Sequence, residues 1–339
     1  MAGIKDVAAR AGVSTATVSR ALGGKGHVSA KSRQRVLDAA EALDFVLSYH
    51  ASSLASGRSR NIGVIVPSVD RWFFSQVVGG IAGALLDVGY DLTLYNTARG
   101  AHHQESVLKD YLMRQRLDAV IPVALKLNPD ELARLLSVNR PVVGIGRAMP
   151  GVPTVSVDHF GMGSLATGHL IALGHKKIAH ITGGPDAGRD FELTGSRRGG
   201  YETEMAKAGL NINPVWVIVS DFTVNDAHRQ AKQLLASPYD RPSAIFCASD
   251  EMAIGVILAA RELGLNVPED LSVIGIDGHD LSEVFGLTTI NQFPQRQGGR
   301  AVQRLLAQLS GAEKEAGPLN EKLDTEFVVR SSTAVPAGR

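Results

Sequence analysis

The stretch from Ile4 to Leu22 constrains this chain more than any other: two short helical patterns joined by a glycine-containing turn. Ile4, Val7, Ala8 and Ala11 recur at helical spacing and give one apolar face. Gly12 suits the backbone where that helix stops, and Ser14 suits the N-cap of the next. In the second pattern Val18, Ala21 and Leu22 point inward, while Thr15, Ala16, Ser19 and Arg20 share the opposite face. That outer face is small and polar, and it carries one guanidinium of the kind that pairs with a guanine edge in a major groove. The pattern is a helix-turn-helix whose second helix reads DNA.

Charge separates this reading from an incidental helical cap. Residues 1–60 hold nine Lys/Arg against four Asp/Glu, and the remaining chain holds 26 against 30. The overall charge of +1 therefore conceals a basic head on a mildly acidic body, as expected when only the head meets phosphate. A third helix is predicted from about Ala30 to Leu43, capped by Ser29, with Val36, Leu37, Ala40 and Leu43 buried and Lys31, Arg33 and Arg35 wet. His27, Ser29 and Lys31 lie on its approach, either within reach of phosphates or simply solvated. From Ser48 to Arg60 the chain reads as a linker, yet Ala51 to Ala55 has the pattern of about one and a half helical turns with Leu54 as its only large apolar residue. A helix this short is unstable alone and needs a partner chain and DNA to form.

The 339 residues, 44% hydrophobic and 20% charged, leave room for a small head plus one large or two medium domains. The single cysteine, Cys247, sits in an apolar run, which rules out a disulfide framework or zinc site within one chain and reads as a buried, inert thiol. No metal or other cofactor is expected. Neither a basic start followed by an apolar segment nor a stretch of membrane length is present, so the expectation is a cytoplasmic protein with no membrane partner.

From Asn61 onward, short apolar runs alternate with helical patterns. Strands are predicted at Ile62–Val66, Asp91–Tyr95, Ala119–Val123, Val142–Ile145, Thr154–Val157, Lys177–Ile181, Trp216–Val219, Ala244–Ala248 and Ser272–Ile276. Helices are predicted at Phe74–Val88, Gln104–Arg116, Gly161–Leu173, Arg198–Ala208, Ala227–Ala236, Asp250–Leu263 and Arg296–Gln308. Such alternation means parallel sheets covered on both faces, here two doubly wound lobes of about five or six strands each.

Ligands of doubly wound sheets bind beyond the carboxyl ends of the strands. Those ends run into Ser68, Asp70, Trp72, Phe73 and Phe74, and into Asp158, Asp221, Phe222, Ser249, Asp250 and Asp277, with Arg189 and Arg197 nearby. Carboxylates, guanidinia and aromatic faces in one crevice suit a small polyhydroxyl ligand, since acids accept hydroxyls, Arg bridges two oxygens and a ring covers an apolar sugar face. Asp250 and Ser249 read more simply as caps of the following helix, Asp158 as the cap of another, and Phe74 as core. Asp277 and Arg197 resist such readings and are favoured as ligand contacts. An enzyme on the same sheets finds no support: there is no phosphate-cradling Gly-x-Gly-x-x-Gly after the first strand and no serine nucleophile elbow, and Gly144-Ile145-Gly146 fails at Met149.

Across essentially its whole length the chain resembles the lactose-repressor (LacI/GalR) family of transcriptional regulators. The resemblance is carried by Ile4-Lys5-Asp6-Val7-Ala8 through Thr17-Val18-Ser19-Arg20, His27-Val28-Ser29, Ser53-Leu54-Ala55, Leu173-Gly174-His175, Ser249-Asp250-Glu251, Val273-Ile274-Gly275-Ile276-Asp277 and Leu287-Thr288-Thr289-Ile290. It implies a homodimer or dimer of dimers on a near-palindromic double-stranded operator, probed by a helix-turn-helix head with a hinge helix. The implied body has two doubly wound parallel-sheet lobes like periplasmic sugar-binding proteins. Thr15, Ala16 and Arg20 fall where the family reads bases, and Ser14, Thr17, Ser19, His27 and Ser29 where it holds DNA or its backbone. Leu54, with Ala55 beside it, falls at the hinge position that wedges into the minor groove.

The resemblance further implies effector contacts at Phe73, Phe74, Arg197, Phe222 and Asp277, with Asp70 from the strand-end reading and Arg189 by loop alignment. The implied domains are a head at 1–46, a hinge at 47–60 and a body at 61–339. Within the body, lobe 1 covers about 61–158 and 293–320, and lobe 2 about 161–290 and 323–332. The expectation is thus a non-enzymatic repressor governed by a sugar-like effector. A purine-responsive regulator and a periplasmic-type solute-binding protein are the alternatives. Two departures stand out: Gly3 replaces the usual Thr or Ser cap, so the first helix should start less firmly, and Phe45-Val46-Leu47-Ser48 lacks the usual proline before the hinge.

Overall fold

Three helices, α1 (Ile4–Ala11), α2 (Thr15–Gly23) and α3 (Ala30–Glu41), make the amino-terminal unit in a computed structural model of the chain. The structure describes residues 2–23, 27–45, 59–98, 101–112, 117–184, 191–237, 239–312 and 318–337. The three helices close on Val7, Ala8, Ala11, Val18, Ala21, Val36, Ala39 and Ala40, a core of small side chains that brings short helices close together. Gly12 ends α1 in the left-handed conformation (φ 64°), where a Cβ would be strained. Gly3 offers no side chain to the start of α1, but its N–H donates to the Asp6 carboxylate at 2.7 Å, so the third helical residue supplies half of a capping box. Ser29 caps α3 as expected, its hydroxyl accepting the Ser32 N–H at 3.2 Å. Leu37 is not part of the buried stripe. It is 44% exposed, and Ala39 takes the inward position instead.

The remaining elements build a second unit with two sheets. In the first lobe β1 (Asn61–Val66) lies between β2 (Asp91–Asn96) and β3 (Ala119–Pro122), while β5 (Thr154–Ser156) lies between β4 (Gly144–Ile145) and β11 (Asn320–Lys322). Parallel bridges from Val120 to Val142 and from Val123 to Ile145 join the two triplets. The second lobe is a six-stranded sheet in the order β12-β10-β9-β8-β6-β7. Its strands are β6 (Ile178–Gly183), β7 (Val217–Ser220), β8 (Ala244–Cys247), β9 (Ser272–Asp277), β10 (Thr288–Asn291) and β12 (Glu326–Val328). All its pairings are parallel except β10 with β12.

Helices cover both faces of that sheet, and the period-two alternation of its strands shows why. Ala179, Ile181, Ile245, Cys247 and Val273 pack under α9 (Val224–Leu235) and α10 (Asp250–Glu262). Ile178, Ala244, Phe246, Ile274 and Ile276 pack under α7 (His159–Ala172) and α8 (Phe191–Lys207). In the first lobe α4 (Trp72–Leu86) packs on α11 (Pro294–Ser310) over Ile62, Val64, Ile121 and Val155. Several helix pairs touch through backbone, two of them most closely. A Cβ on Gly80 would stand 2.1 Å from the Gln295 carbonyl oxygen, and one on Gly163 would stand 2.1 Å from the Arg197 carbonyl oxygen. Only glycine permits either approach.

The chain passes between lobes three times, after β5, after β10 and after β11. Strands β10, β11 and β12 lie outside the nine that periodicity indicates, as does α6 (Pro129–Ser137). The expected helix at Gln104–Arg116 is instead α5 (Ala101–Ser106) running into a π-helical turn at Val107–Tyr111. Among the described residues no helix is long and apolar enough to cross a membrane.

Candidate functional site

On the head, α2 turns Thr15, Ala16, Ser19 and Arg20 to solvent because Val18 and Ala21 hold its other face in the core. Ser14 caps α2 by accepting the Thr17 N–H at 3.2 Å, and its hydroxyl lies 2.9 Å from the Thr17 hydroxyl. Arg20 Nε donates to the Ala16 carbonyl at 3.2 Å, which draws the guanidinium along the exposed helix surface. His27 and Ser29 are exposed ahead of α3. Leu54 and Ala55 lie outside the described residues. The result is an exposed face of small polar groups with one multivalent donor, suited to the edge of a base pair.

In the body, a cavity open to solvent, with about 690 Å³ of empty space counting its open mouth, lies where the strand ends of both lobes meet. Phe73, Phe74, Arg197, Phe222 and Asp277 all line it. Phe73 and Phe74 at the start of α4 meet edge to face, 5.3 Å between centroids and 73° between planes. Phe222 follows β7 with a left-handed backbone (φ 68°), and its ring lies against Gly183, where a Cβ would come within 2.0 Å of it. The glycine at the end of β6 therefore makes room for this aromatic wall.

Arg197 is 7% exposed and held on three sides. Its Nε donates to His159 Nδ1 at 3.2 Å, Nη1 donates to the Ala248 carbonyl, and Asp277 Oδ1 is 4.0 Å away. Burial, and then Arg197 itself, holds His159 well below the usual histidine range. The ring is thus neutral at pH 7, and Nδ1 keeps the lone pair that accepts the guanidinium N–H. Asp277 sits at φ 144° and is 5% exposed, and Gln292 Nε2 donates to its Oδ1 at 2.5 Å. Burial pushes the Asp277 carboxyl up to about 8, with Arg197 pulling the other way. A carboxyl in that state donates as well as accepts, which widens the range of hydroxyl partners.

Asp250 does not cap its helix. Ser249 does, accepting the Met252 N–H at 3.3 Å. The Asp250 carboxylate instead crosses to the turn after β9, where Oδ2 accepts the Gly278 N–H (2.9 Å), the His279 N–H (2.8 Å) and the Ser282 hydroxyl (2.9 Å). Its Oδ1 accepts the Thr289 hydroxyl at 2.7 Å. Asp158 is the cap the sequence suggests, accepting the Gly161 N–H at 3.1 Å. Asp70 is exposed, accepts the Ser68 hydroxyl and is not among the lining residues. Arg189 lies outside the described residues.

Sequence reasoning did not single out Arg71, His159, Glu251, Gln292 or Gln297, all of which line the cavity. Gln292 follows β10, and the strand-end rule would have found it had that strand been recognised. His159 and Gln297 sit in first turns of helices after a crossover and carry no local signal. Among the described residues no group of three His, Cys, Asp or Glu is placed to hold a metal ion.

Comparison with known proteins agrees with this architecture. Residues 3–48 match the family model for bacterial regulatory proteins of the lacI family, and residues 167–333 match a periplasmic binding protein-like domain. The chain is 35% identical over 342 residues to the HTH-type transcriptional repressor PurR of Aliivibrio fischeri, covering 98% of this chain and 99% of that protein. It superimposes on the lac repressor dimer bound to operator and the anti-inducer ONPF with a TM-score of 0.84 at 28% identity, covering 98% and 99%. It superimposes on the CelR–cellobiose complex with a TM-score of 0.70 at 29% identity, covering 98% and 100%. The chain belongs to the LacI family of transcriptional regulators. It is a DNA-binding regulator with effector-binding lobes.

Proposed function

We propose that the protein is a repressor that binds a near-palindromic operator as a homodimer and is controlled by a sugar or sugar derivative bound between its lobes. The carrying observation is the cavity itself: a buried guanidinium and a buried carboxyl 4.0 Å apart, faced by three phenylalanines. Hydroxyl groups satisfy the first pair, and the apolar face of a sugar ring satisfies the second. The CelR–cellobiose complex, over the whole length of this chain, supports a sugar, and the name of the PurR relative supports repression. The lac repressor dimer on its operator supports the assembly.

In this reading Thr15, Ala16 and Arg20 contact bases, while Ser14, Thr17, Ser19, His27 and Ser29 hold the backbone. Leu54 and Ala55 enter the minor groove between the half-sites. Phe73, Phe74, Arg197, Phe222 and Asp277 contact the effector together with Arg189, and Asp70, exposed and away from the cavity lining, is not among the contacts. No catalytic step is part of this function, and a protein that meets chromosomal DNA works in the cytoplasm.

A thermal-shift screen of the full chain against sugars, sugar phosphates and nucleobases tests the ligand. An effector at 100 times its Kd adds about 2.7 kcal/mol to stability. A shift from nucleobases with none from any sugar would overturn the sugar half of the proposal. Footprinting on host chromosomal DNA tests the other half, and the absence of any preferred site would end it.

A further inference from the structure

The cavity's rim is closed by contacts that ligand binding does not itself require. Trp72, the first residue of α4 in lobe 1, reaches the turn that follows β9 in lobe 2. Its ring stacks on His279 with centroids 4.7 Å apart and planes 28° apart, and its Nε1–H donates to Asp280 Oδ2 at 3.0 Å. Next to it, Arg71 lies 4.0 Å from Glu251 of α10. Both of those residues line the cavity with side chains 19% and 18% exposed, so they stand at its boundary with solvent. Trp72 is not among the lining residues. Its contacts bridge the lobes without touching the ligand space.

The lobe 2 half of this contact is prebuilt. The Asp250 carboxylate holds the backbone N–H groups of Gly278 and His279 and the hydroxyl of Ser282, so the turn presents the His279 ring and the Asp280 carboxylate from a fixed backbone. The lobe 1 half is fixed by helix packing, since α4 lies against α11 through Gly80 and Gly298. Beside the Arg71–Glu251 pair, two rigid bodies therefore meet through the Trp72 indole, which brings both a stacking face and a donor.

We propose that Trp72 is a clasp, a positioning residue that keeps the lobes shut over the cavity and must leave His279 and Asp280 before a ligand can pass. What the clasp gates rests on the effector reading above; the clasp itself can be measured without ligand. Loss of one stacked aromatic pair and one hydrogen bond shifts the closed-to-open ratio about tenfold toward open. Ligand release should accelerate accordingly, although no lining residue has changed.

The chain has two tryptophans, so Trp216→Phe leaves Trp72 as the sole indole reporter. In that full-length background, His279→Ala and Asp280→Leu should each shift Trp72 emission to the red and raise its quenching by acrylamide. Asp280→Asn keeps an acceptor and should stay near the parent. Trp72→Ala in the otherwise unaltered chain should increase the radius of gyration in solution scattering. Trp72→Phe, which keeps the ring but not the donor, should fall between. Scattering also serves should Trp216→Phe fold poorly, because Trp216 is a core residue. Unchanged quenching in both turn variants, or an unchanged radius of gyration in Trp72→Ala, overturns the clasp. A clasp that fails while the ligand screen still finds an effector leaves the functional proposal standing. A clasp that opens as expected while no ligand binds removes the effector reading and keeps the clasp.

Discussion

The head and the body solve opposite problems with their charges. Among the described residues, the fully buried core of the head is Val and Ala, and Arg20 and Lys31 lie exposed outside it. The body carries Arg197, Asp250 and Asp277 inside, each less than a tenth exposed and each held by several partners. Burying a charge is costly unless it is paired and hydrogen-bonded, so these body residues are structural before they are functional. Under the proposed function, recognition and folding in the head are borne by different residues, whereas in the body they share residues, and mutations there should not separate the two cleanly.

The largest effect should come from Asp250. Asp250→Ala removes the acceptor of the His279 N–H and of the Ser282 and Thr289 hydroxyls, and leaves the Gly278 N–H only its longer bond to Thr289 Oγ1 at 3.3 Å. Urea unfolding of the full chain should show a loss of about 3–5 kcal/mol in the body. A loss comparable to that of an ordinary surface substitution would erase the contrast drawn here.

Next comes acid sensitivity. His180 in β6 is stacked between Phe246 (4.5 Å) and Tyr201 (5.1 Å), donates its Nδ1–H to the Phe246 carbonyl at 2.9 Å, and has no partner at Nε2. Burial lowers its pKa from 6.5 to about 4. The native state therefore binds fewer protons than the unfolded one, so stability present above pH 6.5 drains away as pH falls toward 4. That drain is about 3 kcal/mol for a shift of this size. In His180→Phe the loss of stability across this window should shrink by about that amount, and an identical pH profile would show that the ring is not the cause. His159, His169 and His175, also lowered by burial, should leave a residual slope of the same sign.

Arg20→Ala tests the head in the other direction. Its guanidinium is exposed and bonded only within its own helix surface, so unfolding should change by less than about 0.5 kcal/mol. Discrimination among operator variants should fall by about 1–3 kcal/mol in mobility-shift titrations. A variant that unfolds early would show that head and body are less different than claimed. The smallest effect is expected for Gly3→Ser, which adds a side-chain acceptor to a cap now made only by Asp6. A new Cβ there meets nothing closer than 3.7 Å, and the head should gain a few tenths of a kcal/mol in thermal unfolding.

Much of the fold and of the cavity is legible in the sequence. Periodicity gives all three head helices and nine strands because each buries one continuous apolar face. The strand-end rule brings Phe73, Phe74, Arg197, Phe222 and Asp277 to one cavity. The misses have physical causes. Strands β11 and β12 are three residues each with none fully buried, too short for a period-two pattern to show. Helix α6 does have a local signature, since Asn128 and Glu131 form a reciprocal capping box around Pro129, and a reading centred on apolar periodicity passes over it. Asp250 misleads because a carboxylate at a helix start looks like a cap, and only the long-range fold reveals the turn it gathers. Leu37 misleads because it is apolar, whereas the inward stripe runs through Val36, Ala39, Ala40 and Leu43 at i, i+3, i+4 and i+7, leaving position 37 to one side.

The close approach of α7 and α8 has a further consequence. With no side chain on Gly163, the Arg197 backbone lies directly against α7, and His159 on that helix then reaches the guanidinium. The cation is thereby dehydrated and aimed while the polypeptide folds, long before any metabolite arrives. Under the proposed function, a ligand would find its charged partner already immobilised, with little orientational freedom left to lose on capture. Affinity in this regulator would then hinge on an atom the protein lacks: one methyl group at residue 163 would disturb recognition from a distance, without meeting the bound molecule at all.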